Sequence, residues 1–81
     1  MSTTPLTLPE LAVGSSAVIH AIADTAPEQI GLRLRHRGFR AGNVVQAVRV
    51  APLGDPRVYR ILGYEMCLRR HEARHIQIAP T

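Results

Sequence analysis

The 81-residue chain has no lysine, no tryptophan, a single cysteine and only three aromatic residues, Phe39, Tyr59 and Tyr64. Neither G-x-x-x-x-G-K-[ST] nor G-x-G-x-x-G occurs, so nucleotides are not bound by those devices. The lone Cys67 excludes an internal disulfide. On a strand-like segment it is expected to be a small buried hydrophobe, and no base is placed beside it to make it a nucleophile. Three scattered rings make a poor platform for stacking bases, and without tryptophan no aromatic groove for proline-rich peptides is expected. Long apolar runs are missing too. The longest stretch free of Asp, Glu, Lys and Arg, Leu11 to Ala23, has 13 residues, against the roughly 20 a bilayer requires. Met1 to Thr7 lacks the basic and apolar regions of a secretory signal. The absences together describe a cytoplasmic, non-enzymatic protein with no cofactor and no direct membrane insertion.

What is present suits one small domain, expected over 8–81 behind a flexible tail at 1–7. A chain of 81 residues buries only about 60% of its unfolded surface, so the core must rest on the Val, Ile and Leu side chains, a thin layer. Ten arginines against six acids give a net charge of +4. Arginine-only usage fits bidentate recognition of phosphate or carboxylate, and equally the coding bias of a G+C-rich genome.

Thr7 to Leu11 reads as one helical turn, with Leu8 and Leu11 on one side and Gly14 ending it. Ser16 to Ala23 alternates as a strand, Val18, His20 and Ile22 against Ala17, Ile19 and Ala21. Thr25-Ala26-Pro27-Glu28 then starts a helix, Thr25 being the expected cap, with Ile30 and Leu34 as its buried stripe. Arg33, Arg35 and Arg37 suit its C-terminal end, and Gly38 is the expected left-handed cap. Asn43 to Val50 is a second strand, setting Val45, Ala47 and Arg49 against Val44, Gln46, Val48 and Val50. Pro52 to Pro56 must turn, Arg57 to Leu62 and Tyr64 to Arg69 form a hairpin, and after a turn over Arg70 to Arg74 a last strand covers Ile76 to Ile78. In the hairpin Tyr59 and Ile61 face one way, with Tyr64, Met66 and Leu68 as the facing set. Five short strands and one short helix after the first strand predict a mainly β fold, a small SH3-like partly open barrel.

Leu8-x-Glu10-x-x-x-Gly14, Arg33-Leu34-x-x-x-Gly38-Phe39-x-x-Gly42, Ala51 to Pro56, and Gly63-Tyr64-x-x-x-Leu68-Arg69-Arg70-x-Glu72-Ala73-x-x-Ile76 follow one another in an order and spacing that resembles the FeoA family over about residues 8 to 78. Arg37 departs from the Leu or Met more usual there, and Ala41 stands where many members carry proline. The resemblance implies a small SH3-like protein linked to bacterial ferrous iron uptake, acting beside FeoB, a membrane transporter with a cytosolic GTP-binding domain. On that footing the partner-binding candidates are Pro52, Leu53, Gly54, Asp55 and Pro56, a stiff loop with an apolar tip, with Arg33 and Arg40 as steering charges. The alternative for the loop is simply to close the connection between strands. From another functional class, the arginines suggest a nucleic-acid-binding small barrel. A weak homo-oligomer is also compatible with the sequence.

His71-Glu72-Ala73-Arg74-His75 matches H-E-x-x-H, in which a helix sets two imidazoles on one face to bind zinc. A peptidase would also need a third ligand and a cleft, and only six residues follow, none of a ligand type. His71 and His75 are therefore weak metal candidates, incidental ligands between copies at most, and the segment is expected to be a solvated turn.

Overall fold

The 3.6-residue and two-residue periods of the sequence produce distinct elements in the computed structural model, which describes residues 6–80. These are β1 (Leu6–Thr7), a 3₁₀ turn (Leu8–Glu10), β2 (Ser16–Ile22), α1 (Glu28–His36), β3 (Val44–Val50), β4 (Arg57–Ile61), β5 (Tyr64–Leu68), α2 (Arg70–Ala73) and β6 (Ile76–Pro80). The strands form one sheet in the order β1-β6-β2-β3-β4-β5, every neighbouring pair antiparallel. The fold is mainly β as expected, with six strands rather than five and a second short helix. The added strand, β1, pairs Leu6 with Ile78 and Thr7 with Gln77, using the last two residues of the stretch expected to be a tail.

Side chains from both ends of the chain meet in one core. Tyr59, Phe39, Leu8, Ile19, Leu34, Ile61, Leu68, Ile76 and Val45 are its largest fully buried members, with Ile22, Ile30 and Met66 packed at its margin. Two bulges correct the expected alternation. An extra residue at His20 breaks the β2–β6 register between Ile19 and Ala21, so Ile22 rather than Ala21 turns toward the core. Another at Val48 shifts β3 against β4, leaving Arg49 exposed although it was expected to share a face with Val45 and Ala47.

The N-cap of α1 is Pro27, with no side-chain capping bond, so Thr25 does not cap it. Proline lacks an N–H and fixes φ, which suits the first turn without a hydroxyl acceptor. The other end is closed as expected. Gly38 has φ +101°, its N–H donates to Arg35 O at 3.1 Å, and Phe39 N–H donates to Leu34 O at 3.0 Å, the reciprocal pair of a Schellman motif with two buried apolar residues stapled across it. Arg37 lies exposed at this C-cap, so the arginine displaces nothing from the core.

The β4–β5 hairpin turns through Leu62 and Gly63, whose φ values are +52° and +83°. Both central residues of this turn must be left-handed for its twist to match the strands. For leucine that costs on the order of 1 kcal/mol. Pairing of Ile61 with Tyr64 and Tyr59 with Met66 directs Met66 and Leu68 inward and Cys67 outward. Cys67 is exposed, contrary to the expectation of burial, because β5 is the last strand of the sheet and Cys67 points away from the core, to a face that none of the described residues covers. Tyr64 is also 69% exposed, since the core ends before the hairpin tip. No helix among the described residues is long and apolar enough to cross a membrane.

Candidate functional site

The loop between β3 and β4 is held at both ends. Ala51 N–H donates to Pro56 O at 3.0 Å and Gly54 N–H to Ala51 O at 2.8 Å. Asp55 Oδ1 accepts the Arg70 N–H at 2.9 Å, a carboxylate on an otherwise orphan amide at the start of α2. Asp55 is thereby committed to holding α2. Leu53 at the tip is 97% exposed and is the loop's free apolar group.

The elements around the loop are bound just as tightly. Arg57 Nη1 donates to Pro9 O at 2.7 Å and Leu11 O at 2.9 Å, fastening the 3₁₀ turn to β4. Within that turn, Glu10 Oε2 accepts the Thr7 N–H at 2.5 Å and the Thr7 hydroxyl at 3.1 Å. Glu72 Oε1 accepts the Arg69 N–H at 3.3 Å, while Glu72 Oε2 lies 3.6 Å from Arg33 Nη1. Thus α2 stands between Arg33 and the loop, joined to each. Among the described residues, the buried polar side-chain atom left without a partner is the Tyr59 hydroxyl. Burial pushes its pKa above 10.0, with the nearby Arg57 and Arg70 charges pulling the other way.

The H-E-x-x-H segment is not one continuous helix. Helix α2 ends at Ala73, so His75 lies beyond it. His71 is exposed and His75 half-buried, and Glu72 is engaged by Arg69 and Arg33. No group of three or more His, Cys, Asp or Glu able to hold a metal ion occurs among the described residues.

Arg40 lies on a different surface. Its Nε donates to Arg35 O at 3.0 Å beyond the end of α1, and it borders an open groove of about 750 Å³. Arg35, His36 and Arg37 line the same groove, and Leu62, Tyr64 and Met66 form its apolar wall. Asn43 Nδ2 donates to Gly38 O at 2.7 Å, fixing the chain that crosses its end. Sequence reasoning missed this groove because residues 35–43 and 62–66 meet only in the fold. The available signal was Leu62-Gly63, a large apolar residue in a turn that favours asparagine. Arg49 and Arg60 share one carboxylate: Arg60 Nη2 lies 2.6 Å from Glu65 Oε2 and Arg49 Nη2 lies 3.2 Å from Glu65 Oε1. The Arg60 hydrogen bond chiefly holds the Glu65 carboxyl below its usual value.

A family model described as the FeoA domain matches residues 6–80. The chain is 37% identical over 71 residues to an Fe(2+) transport protein A/Fe(2+) transporter FeoB fusion protein of Porphyromonas gingivalis, a match covering 88% of this chain and 8% of that protein. This chain therefore spans under a tenth of that relative's length. Among solved structures it is similar to Stenotrophomonas maltophilia FeoA complexed with zinc, described as an SH3 domain protein, with TM-score 0.82 and 32% identity over 91% of this chain and 89% of that one. The FeoA protein of Chlorobium tepidum superimposes with TM-score 0.84 and 32% identity, covering 93% of this chain and 70% of that one.

Proposed function

The chain belongs to the FeoA family, and on that premise we propose that it is a non-enzymatic accessory protein of ferrous iron uptake that docks onto the cytosolic part of the transporter FeoB. The observation that carries this is the Porphyromonas gingivalis relative, in which an Fe(2+) transport protein A and a transporter share one polypeptide. Fusion holds two modules at high effective concentration, which for separate chains is achieved by docking. The protein then works in the cytoplasm, with residues 6–80 acting as one domain. The zinc described for the Stenotrophomonas protein has no set of three candidate ligands among the described residues here.

The loop over 52–56 supports this role because it is ordered before any partner arrives, so little entropy is lost on contact. Leu53 is its anchor. Pro52, Gly54, Asp55 and Pro56 hold that anchor in place, and Arg33 and Arg40 act as outlying charges that steer encounter.

Co-purification with the cognate transporter, together with iron uptake, tests the assignment. Leu53→Asp is expected to weaken the complex by about 2 kcal/mol, roughly 30-fold, and to leave the melting temperature nearly unchanged. Replacing Arg33 or Arg40 should mainly slow association, increasingly so at low salt. Parent-like binding and uptake by Leu53→Asp, or its unfolding, would show the loop to be structural. Binding that instead goes to nucleic acid and falls steeply with salt would favour the arginine-rich nucleic-acid reading.

A further inference from the structure

The groove beside the end of α1 is chemically unlike the loop. Its rim carries Arg35, Arg37 and Arg40 with His36, and no carboxylate among the described residues lines it. The Glu65 carboxylate on neighbouring β5 is already held by Arg49 and Arg60. On the wall, Leu62 is 62% exposed and Tyr64 69% exposed.

Leu62 is the informative residue. It occupies a left-handed position, φ +52°, where asparagine or glycine would relieve strain without removing anything from the core. Its side chain instead leans over Gly38, with Cδ1 2.7 Å from where a Cβ on that glycine would stand. A residue that breaks a local rule while staying largely in solvent points to a role other than stability.

We infer that this groove binds an acidic protein segment bearing a large apolar side chain, which seats between Leu62 and Tyr64 while its carboxylates meet Arg35, Arg37 and Arg40. Guanidinium forks match carboxylates bidentately, and the apolar wall supplies burial that charge alone does not. A second copy of this chain fits poorly, because an isologous contact would set one arginine rim against another. Single-stranded RNA would find two rings among the groove's lining residues, Tyr64 and His36, too few for a run of stacked bases. A membrane surface is met by protruding apolar groups, and these line a recess. The inference rests on the groove's own chemistry and does not depend on which transporter the protein serves.

The test uses the full chain and a fluorescein-labelled 12-residue peptide of alternating glutamate and leucine, its glutamine counterpart, a 12-nucleotide RNA and phosphatidylglycerol vesicles. Binding is read by anisotropy and vesicle sedimentation, and located by amide shifts. The acidic peptide is expected to perturb residues 35–40 and 62–66 and to bind at least tenfold more tightly than the glutamine peptide. Leu62→Asn, whose melting curve should match or exceed the parent's, is expected to weaken it tenfold or more, as is Arg37→Ser. The proposal is overturned by equal binding of the glutamine peptide, by parent-like binding of Leu62→Asn, or by shifts centred on residues 52–56. Tighter binding of the RNA or vesicles, self-association abolished by Leu62→Asn, or no binding at millimolar peptide would overturn it too.

Discussion

The corner where the loop meets α2 and the groove beside α1 use arginine in opposite ways. In the corner, the Arg57 guanidinium fastens two carbonyls of the 3₁₀ turn, while the more exposed Arg33 lies 3.6 Å from Glu72 and stays available as a steering charge. In the groove, Arg35, Arg37 and Arg40 stand exposed around an apolar wall with no carboxylate from the described residues among them. A +4 net charge therefore says little until each guanidinium is followed to its partner. Removing a structural arginine should cost stability, and removing a groove arginine should cost binding.

The largest effect would fall on both regions together. Phe39 is fully buried and staples the end of α1, so Phe39→Ala should cost about 4 kcal/mol. A domain this small should then be largely unfolded by circular dichroism, and a mild loss would place the core elsewhere. Next in size is the contrast itself. Arg57→Ala strands two carbonyls and should lower stability by about 2 kcal/mol in urea unfolding, whereas Arg37→Ala should change it by under about 0.5 kcal/mol. Equal losses would erase the distinction.

A smaller effect concerns the corner's unpaired group. Tyr59→Phe removes a buried hydroxyl with no partner and should be neutral or stabilising by up to about 1 kcal/mol. It also alters the alkaline limb. Because burial raises the folded pKa of Tyr59 above 10.0, the phenol ionises first in the unfolded chain. The stability this group contributes is present below about pH 10 and lost as pH rises through the folded value. Melts between pH 8 and 12 should show that loss in the parent and less of it in Tyr59→Phe. Smallest of all, Cys67→Ser should leave stability within about 0.5 kcal/mol, and the exposed Cys67 thiol should react with a disulfide reagent in the native protein without prior unfolding.

The parts legible in the sequence are those fixed by local chemistry. Gly38 announces the end of α1, Gly63 the hairpin, and Pro52 to Pro56 the turn, because glycine and proline supply backbone conformations that few residues adopt; that the turn also takes in Leu62, read as strand, was not legible. What stayed hidden depends on contacts between distant segments. Two residues at Leu6–Thr7 carry no readable period, so β1 exists only because β6 pairs with it. The bulges at His20 and Val48 are set by the neighbouring strands. Alternation correctly grouped Met66 with Leu68 and so put Cys67 on the other face, but could not reveal that this face is uncovered. The candidate residues divided likewise. Leu53 is the exposed tip its turn chemistry suggested, whereas Arg33 and Arg40, grouped as steering charges, lie on different surfaces, one against α2 and the other on the groove.

Amide shift mapping of the labelled protein, titrated with the soluble cytosolic part of the cognate FeoB, tests most directly whether contact is made through the uncommitted apolar groups. Saturable shifts centred on Leu53 and on the groove residues Leu62 and Tyr64, with Arg57 and the 3₁₀ turn unmoved, are the predicted result. No shifts at saturating partner, or shifts confined to Arg57, Pro9 and Leu11, would contradict it.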